Sequence, residues 1–187
     1  MAVWNVINHT DVGGSGAANY EQTGFSTSYD HLYVVANVRI DDSVASGNFR
    51  YVWVQLGTSG SIDTGSNYNY RYGYISDGSA SATSYNSPGN ADKIVTSAAA
   101  LDGDTGGAFS TVEMWIPNYA YSGKNKQLMW KGWRPNFSNT TNHFFTGFGC
   151  GSWANTGVIN SIKLTPSSGT FEEHSTFTVY ALDATPS

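Results

Sequence analysis

Short runs of alternating β-branched and aromatic residues dominate this sequence and restrict it to an all-β fold. Gly, Asn, Asp and Ser residues, which favour turns, separate about eight such runs. No long window repeats apolar residues at the helical spacing of three and four positions. The pattern therefore predicts strands in residues 31–40, 49–56, 67–75, 109–116, 127–133, 143–148, 157–164 and 175–182.

The number of runs predicts an antiparallel β-sandwich of jelly-roll type, an architecture of about eight strands, over residues 29–187. Residues 1–28 start with the apolar, strand-like VWNVIN and continue into a Gly-rich stretch. This segment is either the first strand of the sandwich or an arm that anchors the domain to another molecule. Residues 95–101, VTSAAAL, predict one short helix.

The composition excludes several classes of protein. Aromatic residues make up 14% of the chain, which excludes a disordered protein. Nine Lys and Arg residues face 14 Asp and Glu residues without any basic run, so we expect no nucleic-acid partner. No apolar stretch approaches the length of a membrane span, and we expect no membrane insertion. The single cysteine, Cys150, predicts a free thiol without a catalytic role. A domain of this size without disulfides fits a reducing compartment or a particle assembled in the cytoplasm.

No constellation of residues typical of catalysis is evident in the sequence. It lacks the HExxH and CxxC metal-binding patterns and the GxSxG pattern of serine hydrolases. A retaining glycosidase needs two facing carboxylates, but Glu113 is the only glutamate inside a clear strand. We therefore expect a non-enzymatic protein that uses no cofactor.

One spacing resembles a calcium-binding loop. Asp102, Asp104 and Glu113 stand at the first, third and twelfth positions of an EF-hand ladder. The flanking residues do not predict the two helices of that motif, and a chance match in an Asp/Gly turn is the favoured interpretation. The three residues are kept as a weak calcium candidate, and no metal is otherwise expected.

A row of tyrosines is the main candidate for a ligand-binding or interface face. Alternation places Tyr68, Tyr70, Tyr72 and Tyr74 on one side of a strand. They line a sugar-stacking groove, fill the space between subunits, or pack in the core, and the last alternative is slightly favoured. The same choice applies to Trp130 and Trp133.

Two of the predicted strands are apolar on both faces. Residues 49–56 and 175–182 carry large apolar side chains at odd and at even positions. A sandwich needs to cover only one face of each strand, so the second face predicts contact with another chain. We expect a homotrimer.

The C-terminal part of the chain resembles a known group of viral proteins. GSWANTGVINSIKL (151–164) and SGTFEEHSTFTVYAL (168–182) are similar to the closing segment of jelly-roll proteins of tailed bacteriophages. In that group a W-x-N-T-x-x-I-x-x-I strand precedes G-x-F-x-x-G-S-x-x-x-L-Y-G. This chain departs from the pattern at His174, Val179 and Ala181, and these replacements are conservative for packing.

The resemblance implies a virion structural protein, a component of a tail fibre or a capsid fibre, with no shared catalytic residues. It implies other virion proteins as partners and the virion, assembled in the host cytoplasm, as its location. Low charge and many aromatic residues also suit contact with cell-surface glycans. The alternative is a carbohydrate-binding module or lectin.

Overall fold

The computed structural model describes residues 4–42, 49–76, 82–87, 89–102, 107–135 and 144–183, and it confirms the all-β class. These ranges contain fourteen strands and no helix. No helix long and apolar enough to span a membrane is therefore present in them. The strands are β1 (Trp4–Asp11), β2 (Tyr20–Thr23), β3 (His31–Asp41), β4 (Arg50–Thr58), β5 (Ser61–Ile62), β6 (Tyr68–Ser76), β7 (Thr83–Asn86), β8 (Ile94–Leu101), β9 (Ser110–Ile116), β10 (Lys126–Arg134), β11 (Phe145–Trp153), β12 (Ser161–Pro166), β13 (Thr170–Phe171) and β14 (Thr176–Leu182).

The strands form one continuous sheet that folds over into two layers. The larger layer has the antiparallel order β1-β14-β3-β9-β10-β11-β6-β7. The smaller layer has the order β2-β12-β4-β8, with β5 paired to β4. The end of β3 joins the layers, because Arg39 and Ile40 pair in parallel with β8. Strand β13 pairs with the same end of β3.

The predicted count of about eight strands was too low. Each predicted run overlaps a strand, but β2, β5, β7, β8 and β13 were not predicted. The helix predicted over residues 95–101 was wrong, because this segment lies in β8. Its small side chains suit close packing between the layers: a Cβ placed on Gly132 of β10 would lie only 2.3 Å from the Ser97 hydroxyl of β8. Packing between layers thus overrides the helix propensity of the alanines.

The N-terminal segment contributes an edge to each layer. Strand β1 pairs antiparallel with β14, from Trp4 opposite Leu182 to Asp11 opposite Thr176, with a register shift between Val6 and Asn8. Strand β2 pairs with β12 at the edge of the smaller layer. Residues 4–11 are therefore a strand of the larger layer.

Glycines on β11 determine how the core packs. Gly147, Gly149 and Gly151 occupy successive inward positions of this strand. A Cβ on Gly149 would lie 2.7 Å from the Trp130 ring and 2.6 Å from the Arg71 carbonyl oxygen. Large side chains of the neighbouring strands therefore lie directly over the β11 backbone, as glycine inside a strand permits.

The strands that are apolar on both faces are partly covered within the chain. On β4, the Lys93 ammonium lies 3.9 Å from the centre of the Trp53 ring. On β14, the ring of Trp4 meets Tyr180 edge-on, with 5.8 Å between ring centres. The two-faced character of these strands is therefore explained partly by contacts inside one chain.

Candidate functional site

The β6 tyrosines face the interior, where Tyr68 is fully buried. The single proton of its hydroxyl is shared between the carbonyl oxygens of Leu56 and Asp63, at 3.0 and 2.9 Å, and the hydroxyl oxygen accepts a hydrogen bond from the Leu56 amide. Its ring stacks on Trp153, with 6.2 Å between centres. Burial raises the pKa of the Tyr68 hydroxyl, which therefore stays neutral and holds β6 against β4.

Farther along β6 the rings form a tyrosine cluster, which comprises Tyr51, Tyr70, Tyr72, Tyr74 and Tyr85. Tyr72 is at its centre, with its ring centre 5.4 Å from that of Tyr85 and 6.2 Å from that of Tyr51. Burial, followed by the neighbouring Tyr51, raises the pKa of the Tyr72 hydroxyl. Only Tyr85 is exposed, so the cluster is mainly a packing element.

The two candidate tryptophans of β10 point to opposite faces. Trp130 is buried beside Tyr72, with ring centres 6.0 Å apart, whereas Trp133 is exposed on the outside. They are three positions apart, and an odd spacing in a strand places side chains on opposite sides. Trp130 therefore lies on the same side as the β6 tyrosines, whereas Trp133 lies on the opposite face of the layer.

One carboxylate fixes the buried end of the tyrosine row, and sequence reasoning missed it. The Asp63 carboxylate accepts hydrogen bonds from the Trp153 indole, the Gly65 amide and the Asn67 amide, each at 2.8 Å. Burial alone would raise the pKa of Asp63, but these three donors lower it below its ordinary value. The residue lies in a turn, where an isolated Asp is ordinary and gives no specific signal.

The calcium candidates have separate partners. Asp102 pairs with the Arg39 guanidinium at 3.3 Å, and Arg39 also pairs with Glu172 at 2.9 Å. Glu113 accepts a hydrogen bond from Tyr33 and pairs with Lys131 at 2.9 Å. Asp104 lies outside the described residues. Within the ranges that the structure describes, no three His, Cys, Asp or Glu residues are grouped as metal ligands.

Sequence reasoning also missed the outward face of the larger layer. Paired positions align one apolar row across its strands, and this row contains Val6, Tyr180, Tyr33, Trp115 and Met129. Val6 and Met129 are 59% and 54% exposed. The alternation of β10 contained the signal, because Met129 and Trp133 interrupt an otherwise polar series of outward positions.

Two adjoining depressions cross this face over β6, β10 and β11, with volumes of about 730 and 910 Å³. Both are lined by Arg71, Met129 and Cys150, so they form one continuous outer groove. Phe148, which is 71% exposed, lies against the larger depression. Cys150 is a free, exposed cysteine.

The chain matches no protein-family model and no curated protein. The described outward face offers aromatic rings for stacking, one guanidinium in the outer groove, and several amide and hydroxyl groups around it.

Proposed function

We propose that this chain is a non-enzymatic structural subunit of a virion surface, of the kind that forms capsid decorations or tail fibres in tailed bacteriophages. We assign its two-layered β fold to a variant of the jelly roll. The protein assembles as a homotrimer, and it contacts host glycans. The resemblance of residues 151–182 supports the viral assignment, and this segment contributes β12, β13, β14 and part of β11.

An exposed edge strand is the observation that carries the assembly role. Strand β1 pairs with β14 on one side, and no described strand pairs with its other side. Trp4 and Val6 are 53% and 59% exposed on this strand. An edge strand with unpaired backbone groups and exposed apolar side chains is a template for pairing with another chain. A monomeric protein usually protects such an edge, whereas a subunit of an assembly uses it.

The assembly edge and the outer groove are at different parts of the larger layer. Five strand spacings separate β1 from β11, which is roughly 24 Å at the usual spacing between strands. An assembly that buries β1 therefore leaves the outer groove open. This arrangement suits a surface subunit that contacts other virion proteins with one end of a layer and a host cell with the other.

A carbohydrate-binding module or lectin is the second candidate function. The exposed ring of Phe148 beside the outer groove favours it. In this alternative saccharide binding is the defining property and does not depend on assembly, whereas the proposed subunit assembles whether or not saccharide is present.

Light scattering of the purified chain tests the assembly role. We expect three times the 20.1 kDa mass of one chain at micromolar concentration. Val6→Lys places a charge on the β1 edge and should shift the mass toward the monomer. Thr23→Lys, on the edge strand β2 of the smaller layer, is the matched control and should leave the trimer intact. A monomer for the wild-type chain would refute the proposal.

A further inference from the structure

Arg71 stands at the centre of the outer groove. It lies on β6 opposite Cys150 of β11 and Asn86 of β7, and its side chain is exposed. Among the described residues Arg71 has no ion pair. By contrast, carboxylates pair with Arg39, Arg50, Lys93, Lys131 and Lys163. The donors of this guanidinium are therefore not occupied by a carboxylate of the described chain, and its planar fork has the geometry that binds carboxylate or phosphate.

A flat aromatic surface lies next to this cation. Phe148 pairs with Gly73, and a Cβ placed on Gly73 would lie 3.9 Å from the tip of the Phe148 ring. The ring therefore leans across the side-chain-free position on β6, and most of its surface stays open to solvent. An exposed ring over a glycine offers a platform on which an apolar ligand face stacks.

Polar side chains line both ends of the outer groove. Asn69, Gln127 and Ser152 line the smaller depression. Ser84 and Asn86 line the larger one, on the side of β7. Amides and hydroxyls both donate and accept hydrogen bonds, which matches a ligand with several hydroxyl groups.

We infer that the outer groove binds an anionic saccharide. Arg71 binds the carboxylate or phosphate, Phe148 stacks on a sugar ring, and the flanking amides and hydroxyls bind the sugar hydroxyls. A saccharide combines an apolar ring face with many hydroxyls, which is the combination that this groove offers. The inference deepens the contact with host glycans and rests on that part of the proposed function.

Titration of the full-length chain with matched saccharides tests the inference, with amide chemical shifts as the readout. The probes are trigalacturonic acid, its uncharged methyl ester and glucose 6-phosphate. We expect the acid to bind about tenfold more tightly than the ester, because only the acid forms a charged pair with Arg71. Added salt should reduce this difference. Binding of glucose 6-phosphate in place of the acid identifies phosphate as the anion and equally supports the site.

Three variants assign the contacts. Arg71→Gln should weaken binding of the anionic probe about tenfold and leave the ester unchanged. Phe148→Ala should weaken binding of the acid and the ester alike, by about fivefold. Lys163→Gln removes the same charge from β12 in the smaller layer and should leave all affinities unchanged.

Several results would overturn the inference. These are equal affinity for the acid and its ester, binding unaffected by Arg71→Gln, or no binding of any probe at about 10 mM. Tighter binding of a glutamate-rich peptide than of the saccharides would assign the groove to a protein partner instead. The mass of the same samples separates the two proposals: a trimer that binds no saccharide refutes only the groove, and a monomer with Arg71-dependent binding refutes only the assembly.

Discussion

The two faces of the larger layer use aromatic residues in opposite ways. On the inner face, Trp130 lies over Gly149 and beside Tyr72, and both rings are almost completely buried. On the outer face, Phe148 leans over Gly73 and is mostly exposed. Both arrangements place a ring over a glycine, yet one is sealed by the smaller layer and the other is open. An aromatic row in a strand is therefore a candidate binding surface only on a face that the other layer does not cover.

Removal of one ring from each face should give the largest contrast. Tyr72→Ala deletes a buried ring and should lower the free energy of unfolding by about 3–5 kcal/mol. Phe148→Ala deletes an exposed ring and should change it by less than about 0.5 kcal/mol. Chemical denaturation of the two variants measures both values. Equal losses would mean that the outer face is also covered.

Methyl groups added to glycines on the two faces probe the same difference at smaller scale. Gly149→Ala forces a contact with the Trp130 ring and with backbone, and we expect a loss of about 1–3 kcal/mol. Gly73→Ala meets only ordinary van der Waals distances and should cost less than about 1 kcal/mol. Thermal unfolding separates them, and a tolerated Gly149→Ala would contradict the close packing of Trp130 on β11.

The buried end of the tyrosine row should respond to pH through Asp63. Its pKa is lower in the folded chain than its ordinary value of 3.8. Its stabilising contribution is therefore fully present above the unfolded pKa and is lost as the pH falls through the folded pKa. We expect Asp63→Asn to be less stable than wild type by about 1–2 kcal/mol at pH 7.

A pH series of unfolding measurements supplies the control for this prediction. The difference between wild type and Asp63→Asn should shrink below about pH 4, where the carboxyl of the unfolded chain takes up its proton. A difference that stays constant down to pH 2 would show that the hydrogen bonds from Trp153, Gly65 and Asn67 do not depend on charge.

The smallest effect on stability is expected for a substitution in the outer groove. Cys150→Ser replaces an exposed thiol and should alter stability by less than about 0.5 kcal/mol. The native thiol should also react with a disulfide reagent as fast as it does in the unfolded chain. A protected thiol would show that another chain covers the outer groove.

The sequence alone determined the all-β class and most of the long strands. Alternation with a period of two repeats throughout the chain, and turn residues mark where each run ends. The prediction from sequence failed for β8. Its run of alanines favours a helix, but its small side chains suit close packing between the layers. Short pairs such as β5 and β13 contain too few residues to show a period.

Tertiary structure decided which face of each strand became the core. A period of two divides side chains into two sets, but it does not say which set the second layer will cover. The sequence analysis therefore selected Tyr68, Tyr70, Tyr72 and Tyr74 as a candidate ligand-binding or interface face. In the folded chain the smaller layer and β7 bury most of the surface of these tyrosines. Arg71 resembled an ordinary solvated charge, because its open groove is built from β10 and β11, which are distant in sequence. Sequence spacing reports the order of residues along one strand, whereas a site across several strands exists only once pairing has fixed their register.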